Sequence, residues 1–330
     1  MNLLRIEKSL FNIQSEREFY QLALSVFFYQ ATNNPVYRKY CRLLGIDPRE
    51  VKIVKDIPFL PIEFFKQHKI LTGSDQWEKV FVSSGTTGIE RSKHYIKRLD
   101  LYRESFLKTF ELFYGLVDNY CILALLPGYL EHKDSSLVFM VNELIKQTGH
   151  PDSGFYLYDY DALANKLASL DEQNQRIMLL GVSHALVDMA EKFTFHLKNT
   201  IVMETGGMKG RREELTREEL HQILRQGFGV DHIHSEYGMA ELLSQAYAKK
   251  YGQFHTPPWM KILIRDFYDP FTCLETGRSG GINVIDLANL YSCSFIETKD
   301  VGRLYEGGSF EVLGRFDHSD IRGCNLMAME

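Results

Sequence analysis

The five cysteines of this 330-residue chain (Cys41, Cys121, Cys273, Cys293 and Cys324) include no CxxC pair. An odd number without paired spacing argues against a disulfide framework or a zinc site and points to a reducing compartment. Long apolar runs are lacking as well. The best of them, Cys121 to Leu126, is far too short to span a bilayer and ends at Pro127-Gly128. The first residues have neither the apolar stretch nor the small-residue cleavage site of a secretory signal. A cytoplasmic protein without a membrane span is expected. There is no basic excess: 38 Lys and Arg against 43 Asp and Glu leave a net charge of −5, so the footprint of a nucleic-acid binder is missing and no nucleic-acid partner is expected. Repeats and low-complexity linkers are also missing, and no clean cut into two domains is visible.

What is present is an ordinary globular composition, 45% hydrophobic and 25% charged, with Tyr and Phe far outnumbering Trp. From about Ile6 to Leu44 the apolar residues Phe11, Phe19, Leu22, Leu24, Phe27 and Phe28 recur at helical spacing. A helical patch is expected around Ile62 to His68, after Pro58 and Pro61. Then the pattern becomes strand, turn and helix. Val80-Phe81-Val82, Ile122 to Leu126, Met178 to Val182, Ile201 to Glu204, Ile262 to Ile264, Gly281 to Ile285 and Phe310 to Leu313 read as strands. Between them, Asp100 is placed to cap a helix through Tyr114, and further helices are expected over Leu137 to Gln147 and Glu213 to Gln226. Such alternation predicts an α/β fold with a mixed or mostly parallel sheet.

The segment Ser83-Ser84-Gly85-Thr86-Thr87-Gly88 carries the sharpest chemical signal. Two glycines allow a tight turn and close approach to a ligand, with several N–H groups left to point at anionic oxygens. Four hydroxyls add donors, and Arg91, Lys93, His94, Lys97 and Arg98 follow at once. This is a loop fit to cradle a polyphosphate, although the Walker A spacing is absent. By composition alone the competing reading is a plain surface turn.

The same hexapeptide resembles the phosphate-binding signature of the adenylate-forming superfamily, which includes acyl-CoA ligases. Later segments match that family in order. Glu236-Tyr237-Gly238-Met239-Ala240-Glu241 is similar to its aromatic-Gly-x-Thr-Glu motif, with Ala240 where Thr is usual. Thr298-Lys299-Asp300 stands in place of its Thr-Gly-Asp, and Gly314-Arg315-Phe316-Asp317 resembles its hinge. The resemblance implies ATP and Mg2+ as cofactors. It implies a nucleotide held by Ser83 to Gly88, by Gly206-Gly207 along the adenine, by Tyr237 on the ring face with Gly238, by Asp300 on the ribose and by Arg315. Glu241 would help hold Mg2+.

Two departures stand out. The family's second domain carries a lysine that stabilises the forming acyl-adenylate, whereas the last lysine here is Lys299. The Pro-Lys-Gly continuation after the glycine loop is replaced by Ile89-Glu90-Arg91-Ser92-Lys93. A shorter branch fits better: the acyl-protein synthetases of bacterial luminescence fatty-acid reductase complexes and their relatives. It is resembled in Pro58-Phe-Leu-Pro-Ile-Glu-Phe-Phe65 and in Gly314-Arg-Phe-Asp-His-Ser-Asp-Ile-Arg-Gly-Cys324. The implied fold is the large N-terminal α/β domain of an adenylate-forming enzyme, with mixed sheets and flanking helices and the C-terminal domain truncated or absent. The implied division is a helical N-terminal region over 1–75, the main domain over 76–313 and a short hinge-like segment over 314–330.

The implied activity is ligation. A fatty acid would be activated as acyl-AMP, captured by Cys324 and passed to a partner such as an acyl-CoA reductase-type protein. Cys324 follows Arg322 and a glycine, which suits a mobile thiolate, while a small hydrophobe in a last strand is the other reading of a free cysteine. Of the histidines, His184 is the chosen general base, and Lys93 is a candidate, with Arg91, Arg315 and Arg322, for the charge role of the missing lysine. An aryl-CoA ligase-like enzyme and a non-catalytic nucleotide-binding subunit are the competing readings.

Overall fold

The computed structural model describes residues 3–84, 91–126, 134–206 and 215–316. In chain order the helices are α1 Leu3–Ser9, α2 Glu16–Asn33, α3 Pro35–Leu43, α4 Phe64–Gln67, α5 Leu99–Tyr114, α6 Ser136–Thr148, α7 Tyr160–Glu172, α8 Ser183–Lys192 and α9 Arg217–Phe228. The strands are β1 Leu60–Pro61, β2 Lys79–Val82, β3 Lys93–Ile96, β4 Cys121–Leu125, β5 Gly154–Phe155, β6 Ile177–Val182, β7 Thr200–Thr205 and β8 His234–Tyr237. They continue with β9 Ala246–Ala248, β10 Phe254–His255, β11 Met260–Arg265, β12 Ser279–Asp286, β13 Phe295–Leu304 and β14 Phe310–Arg315. These elements form two compact units. One takes the chain up to Ser105, then Ala240–Ser244 and everything from His255; the other takes Phe106–Met239 and Gln245–Phe254.

In the second unit the strands follow the order β9-β8-β7-β6-β4-β5, parallel from β5 to β8 and closed by antiparallel β9. Every residue of β4 and β6 is buried. That suits parallel strands, whose helical crossovers cover both faces and favour unbroken apolar runs. The helices have clear sequence stops. Ser135 caps α6 by accepting from Val138 N, and Gly149 ends it at φ +60°. Thr216 and Glu219 form a reciprocal capping box on α9. A Cβ at Gly227 would meet Ala190 at 2.4 Å, so only glycine lets α9 approach α8 this closely.

In the first unit β11, β12, β13 and β14 form an antiparallel meander, with β1 parallel to β13 and a separate antiparallel pair β2–β3. The expected long N-terminal helix is three helices. Asn34 is the reason for one break: its side chain accepts from Val36 N and Tyr37 N, capping α3, and donates to Ser292 O at 3.0 Å. Phe27, Tyr37 and Phe59 all pack on Phe295 of β13, with ring centroids 5.9–6.3 Å apart. Asp100 is not the cap of α5. The helix starts at Leu99, and Asp100 lies in its first turn, where a carboxylate complements the helix dipole and holds Arg98.

Candidate functional site

The feet of the glycine loop are tied to each other. Ser83 N donates to Ser92 O at 3.1 Å, and Ser92 N donates to Ser83 Oγ at 3.0 Å. Gly85, Thr86, Thr87 and Gly88 lie outside the described residues, as do Gly207, His132 and Cys324. Ser84 is exposed, and so is Lys93, which starts β3 opposite Val82.

Three of the expected residues of the first unit, joined by Ser92, form one electrostatic group. Asp300 and Arg315 face each other across β13 and β14, and Arg315 Nε lies 3.2 Å from Asp300 Oδ1. Glu241 is only 4% exposed. Burial pushes its carboxyl above the usual range, against the Ser92 hydroxyl and the Arg315 charge, while Asp300 adds like-charge repulsion. A buried carboxylate short of positive charge has the electrostatics of a cation site. Among the described residues no group of three His, Cys, Asp or Glu side chains gathers around a metal position. That set suits Mg2+ arriving with phosphates, which takes one or two carboxylates and draws its other ligands from phosphate and water.

In the second unit Gly206 ends β7 at φ +64°, in the left-handed region where glycine is at ease. Tyr237 ends β8, 8% exposed, with its ring edge-on to Phe254 at 5.9 Å. Gly238 follows, and a Cβ there would meet Glu236 Oε1 at 2.4 Å, so the carboxylate would have to shift. Behind these residues runs a polar network that the sequence reading missed. Ser183 Oγ lies 3.0 Å from Glu204 Oε2 and 2.5 Å from Gly206 O. Arg217 donates to Glu204 at 3.1 Å, and His221 lies 3.7 Å from the same carboxylate. Burial pushes Glu204 up, but His221, Arg217 and Ser235 outweigh it and hold the carboxyl below its ordinary range. Glu236 accepts from the Thr205 hydroxyl. Burial raises its carboxyl to about 7, with Thr205 opposing and Glu204 reinforcing the shift. The available signal was a glutamate adjoining the Tyr-Gly motif.

His184 is buried in the first turn of α8, directly after Ser183. Of the cysteines set aside as core, Cys41, Cys121 and Cys293 are buried and Cys273 is partly so. Burial raises the Cys41 thiol to about 12 and Cys121 to about 11, which leaves both inert as nucleophiles at neutral pH.

Comparison with known proteins now bears on this geometry. The family model for acyl-protein synthetase, LuxE, matches residues 10–127. The long-chain-fatty-acid–luciferin-component ligase of Vibrio harveyi is 24% identical over 332 residues, covering 93% of this chain and 86% of that protein. The chain is a ligase related to the acyl-protein synthetases. Solved structures agree on the fold. A 2-hydroxyisobutyryl-CoA ligase in complex with its acyl-AMP and CoA superimposes at TM-score 0.66 with 12% identity, over 93% of this chain and 72% of that one. ATP-bound MatB from Rhodopseudomonas palustris superimposes at 0.56 with 18% identity, over 74% of this chain. The chain spans about half the length of MatB, 49%. Its fold is that of the adenylate-forming ligases. Among its described residues no helix is long and apolar enough to cross a membrane.

Proposed function

We propose that this chain is an ATP-dependent acyl-protein synthetase that activates a long-chain fatty acid as acyl-AMP and carries the acyl group on its own cysteine. The observation that supports it most is the group Ser92, Glu241, Asp300 and Arg315. A buried carboxylate short of counter-charge stands there beside the ends of the glycine loop.

In this reading the fatty-acid carboxylate attacks the α-phosphorus of ATP. An oxygen–phosphorus bond forms, the bond to the β-phosphate oxygen breaks, and pyrophosphate leaves. Glu241 would help hold Mg2+, and the charge of that ion would offset the charge that builds on the leaving group. Asp300 accepts from the ribose hydroxyls, with Arg315 paired to its carboxylate. The face of Tyr237 carries the adenine, and Gly206 lets the chain pass close to it. Lys93 and the loop over Ser83 to Gly88 supply donors to the phosphates. The Cys324 thiolate then attacks the acyl carbon, AMP leaves, and a thioester remains, with His184 as the assigned base for the thiol proton. The acceptor of the thioester is a partner protein of the acyl-CoA reductase type, as befits kinship with a luciferin-component ligase.

The test is incubation with Mg·ATP and radiolabelled fatty acids, followed by denaturing electrophoresis with and without neutral hydroxylamine. The proposal expects a hydroxylamine-labile label on the chain that Cys324→Ser abolishes while ATP–pyrophosphate exchange persists. Acyl transfer to CoA without a labelled chain would favour the CoA-ligase reading instead. No exchange with any acid leaves a non-catalytic nucleotide-binding subunit.

A further inference from the structure

Within the first unit, the short segment Ala240–Ser244 is gripped from several elements at once. His94 of β3 is fully buried, and its Nδ1 lies 2.8 Å from Ala240 O. A carbonyl only accepts, so Nδ1 carries the proton and the ring donates. Asn289, also fully buried, donates from Nδ2 to Glu241 O at 2.7 Å. Two successive carbonyls are thus held by two side chains from different elements. Gln30 of α2 fixes Asn289 in turn, donating from Nε2 to Asn289 O at 2.9 Å and Leu290 O at 3.0 Å. Three residues upstream of Asn289, Asp286 accepts from Leu243 N at 2.7 Å and from Ser244 N and Oγ at 3.0 and 2.6 Å.

His94 and Asn289 have capacity to spare. Neither His94 Nε2 nor Asn289 Oδ1 has a hydrogen-bond partner, although the two side chains stand close enough for the amide to favour the charged ring. Burying such atoms unpaired is costly, and a simple core position is filled as well by an apolar residue of the same shape. What the two polar side chains add is direction: each fixes one peptide plane on either side of the Glu241 α-carbon. A peptide plane fixed on both sides sets where the carboxylate of Glu241 points.

We infer that His94 and Asn289 are positioning residues, clamping the carbonyls of Ala240 and Glu241 so that the Glu241 carboxylate is preset for a metal-bound polyphosphate. The inference rests on the functional reading above, because it assigns Glu241 to Mg·ATP. It also explains why a histidine follows Lys93 at the foot of the phosphate loop: the loop and the carboxylate are registered against each other through one ring, within one unit.

The test is calorimetric titration of ATP with and without Mg2+, on the full chain and on His94→Ala, His94→Gln and Asn289→Ala, with melting temperatures measured alongside. Outer residues that orient a metal ligand typically cost about 10- to 100-fold in metal affinity when removed. The clamp therefore predicts that His94→Ala and Asn289→Ala lose about tenfold or more of the Mg2+-dependent gain in ATP affinity. Metal-free ATP binding stays within about threefold. His94→Gln, whose amide reaches the same carbonyl, recovers most of the gain. A purely structural role predicts instead that melting temperature and both modes of ATP binding fall together, and that result overturns the inference. So does a normal Mg2+-dependent gain in either alanine variant when the unmodified chain binds Mg·ATP. If the unmodified chain binds no Mg·ATP at all, the functional reading falls and takes the inference with it.

Discussion

In the first unit Asp286 accepts from four protein donors: Leu243 N, Ser244 N, Ser244 Oγ and Ala288 N. In the second unit Glu236 accepts from the Thr205 hydroxyl and feels the like charge of Glu204. Both carboxyl groups are buried, each within its own unit. Asp286 is a splint, saturated with backbone donors and holding a fixed turn. Glu236 is underserved, and its proton is in play near neutral pH. Nearness to the motif is therefore no guide to role, whereas the number of donors each carboxyl collects is.

The largest effect that separates the two is on stability. Asp286→Ala strips the partners from buried amides, each worth about 1–3 kcal/mol when left unsatisfied. It should lower unfolding free energy in urea by about 3 kcal/mol or more, while Glu236→Gln, which keeps an acceptor for Thr205, changes it by less than about 1 kcal/mol at pH 5. Equal losses would erase the distinction.

Second comes catalysis. Glu241→Gln should lower ATP–pyrophosphate exchange by at least about 100-fold. The melting temperature should hold or rise, because burial already disfavours the charged form. A fall in melting temperature that accounts for the lost exchange would make Glu241 structural, like Asp286.

Third is the pH dependence that Glu236 contributes. Its carboxyl titrates at 4.5 unfolded and at about 7 folded. Between those values the folded chain holds a proton that the unfolded chain has released, so this group's contribution to stability falls as pH rises. Comparing urea midpoints of the unmodified chain and Glu236→Gln from pH 4.5 to 7 isolates it. The unmodified chain should lose ground relative to the variant by up to about 1.4 kcal/mol per pH unit. Parallel curves would show that Glu236 titrates normally.

The smallest effect is at Arg315, whose side chain is 74% exposed. Arg315→Ala should cost less than about 1 kcal/mol of stability, as exposed ion pairs do, yet weaken ATP binding measurably by calorimetry. Unchanged binding would remove Arg315 from the site.

Much of the fold was legible because its strands are apolar throughout: β4 and β6 announce themselves as unbroken hydrophobic runs. Besides the short strands β1, β3, β5, β9 and β10, the strands that escaped include β8 and β13, whose composition explains why. His234-Ser-Glu-Tyr237 buries Ser235 and Glu236, and β13 buries Thr298 and Asp300. Polar residues that a site draws inward break the alternation by which a strand is recognised. Tyr237, Asp300, Glu241 and Arg315 were singled out through the ordered motifs, which register side-chain chemistry. Glu236 and His94 stood in the quoted segments without a role, and Ser183 and Asn289 in none, because their hydrogen bonds to backbone atoms and to one another show only in three dimensions. Asn34 is a case in between: a helix cap visible in principle, hidden in a run of helix-compatible residues.

The most direct test of adenylation is fatty-acid-dependent exchange of radiolabelled pyrophosphate into ATP, run on the unmodified chain and on Glu241→Gln. The account predicts exchange that requires both Mg2+ and a long-chain acid and that is lost in the variant. Exchange that persists in Glu241→Gln, or none in the unmodified chain with any fatty acid, would contradict it.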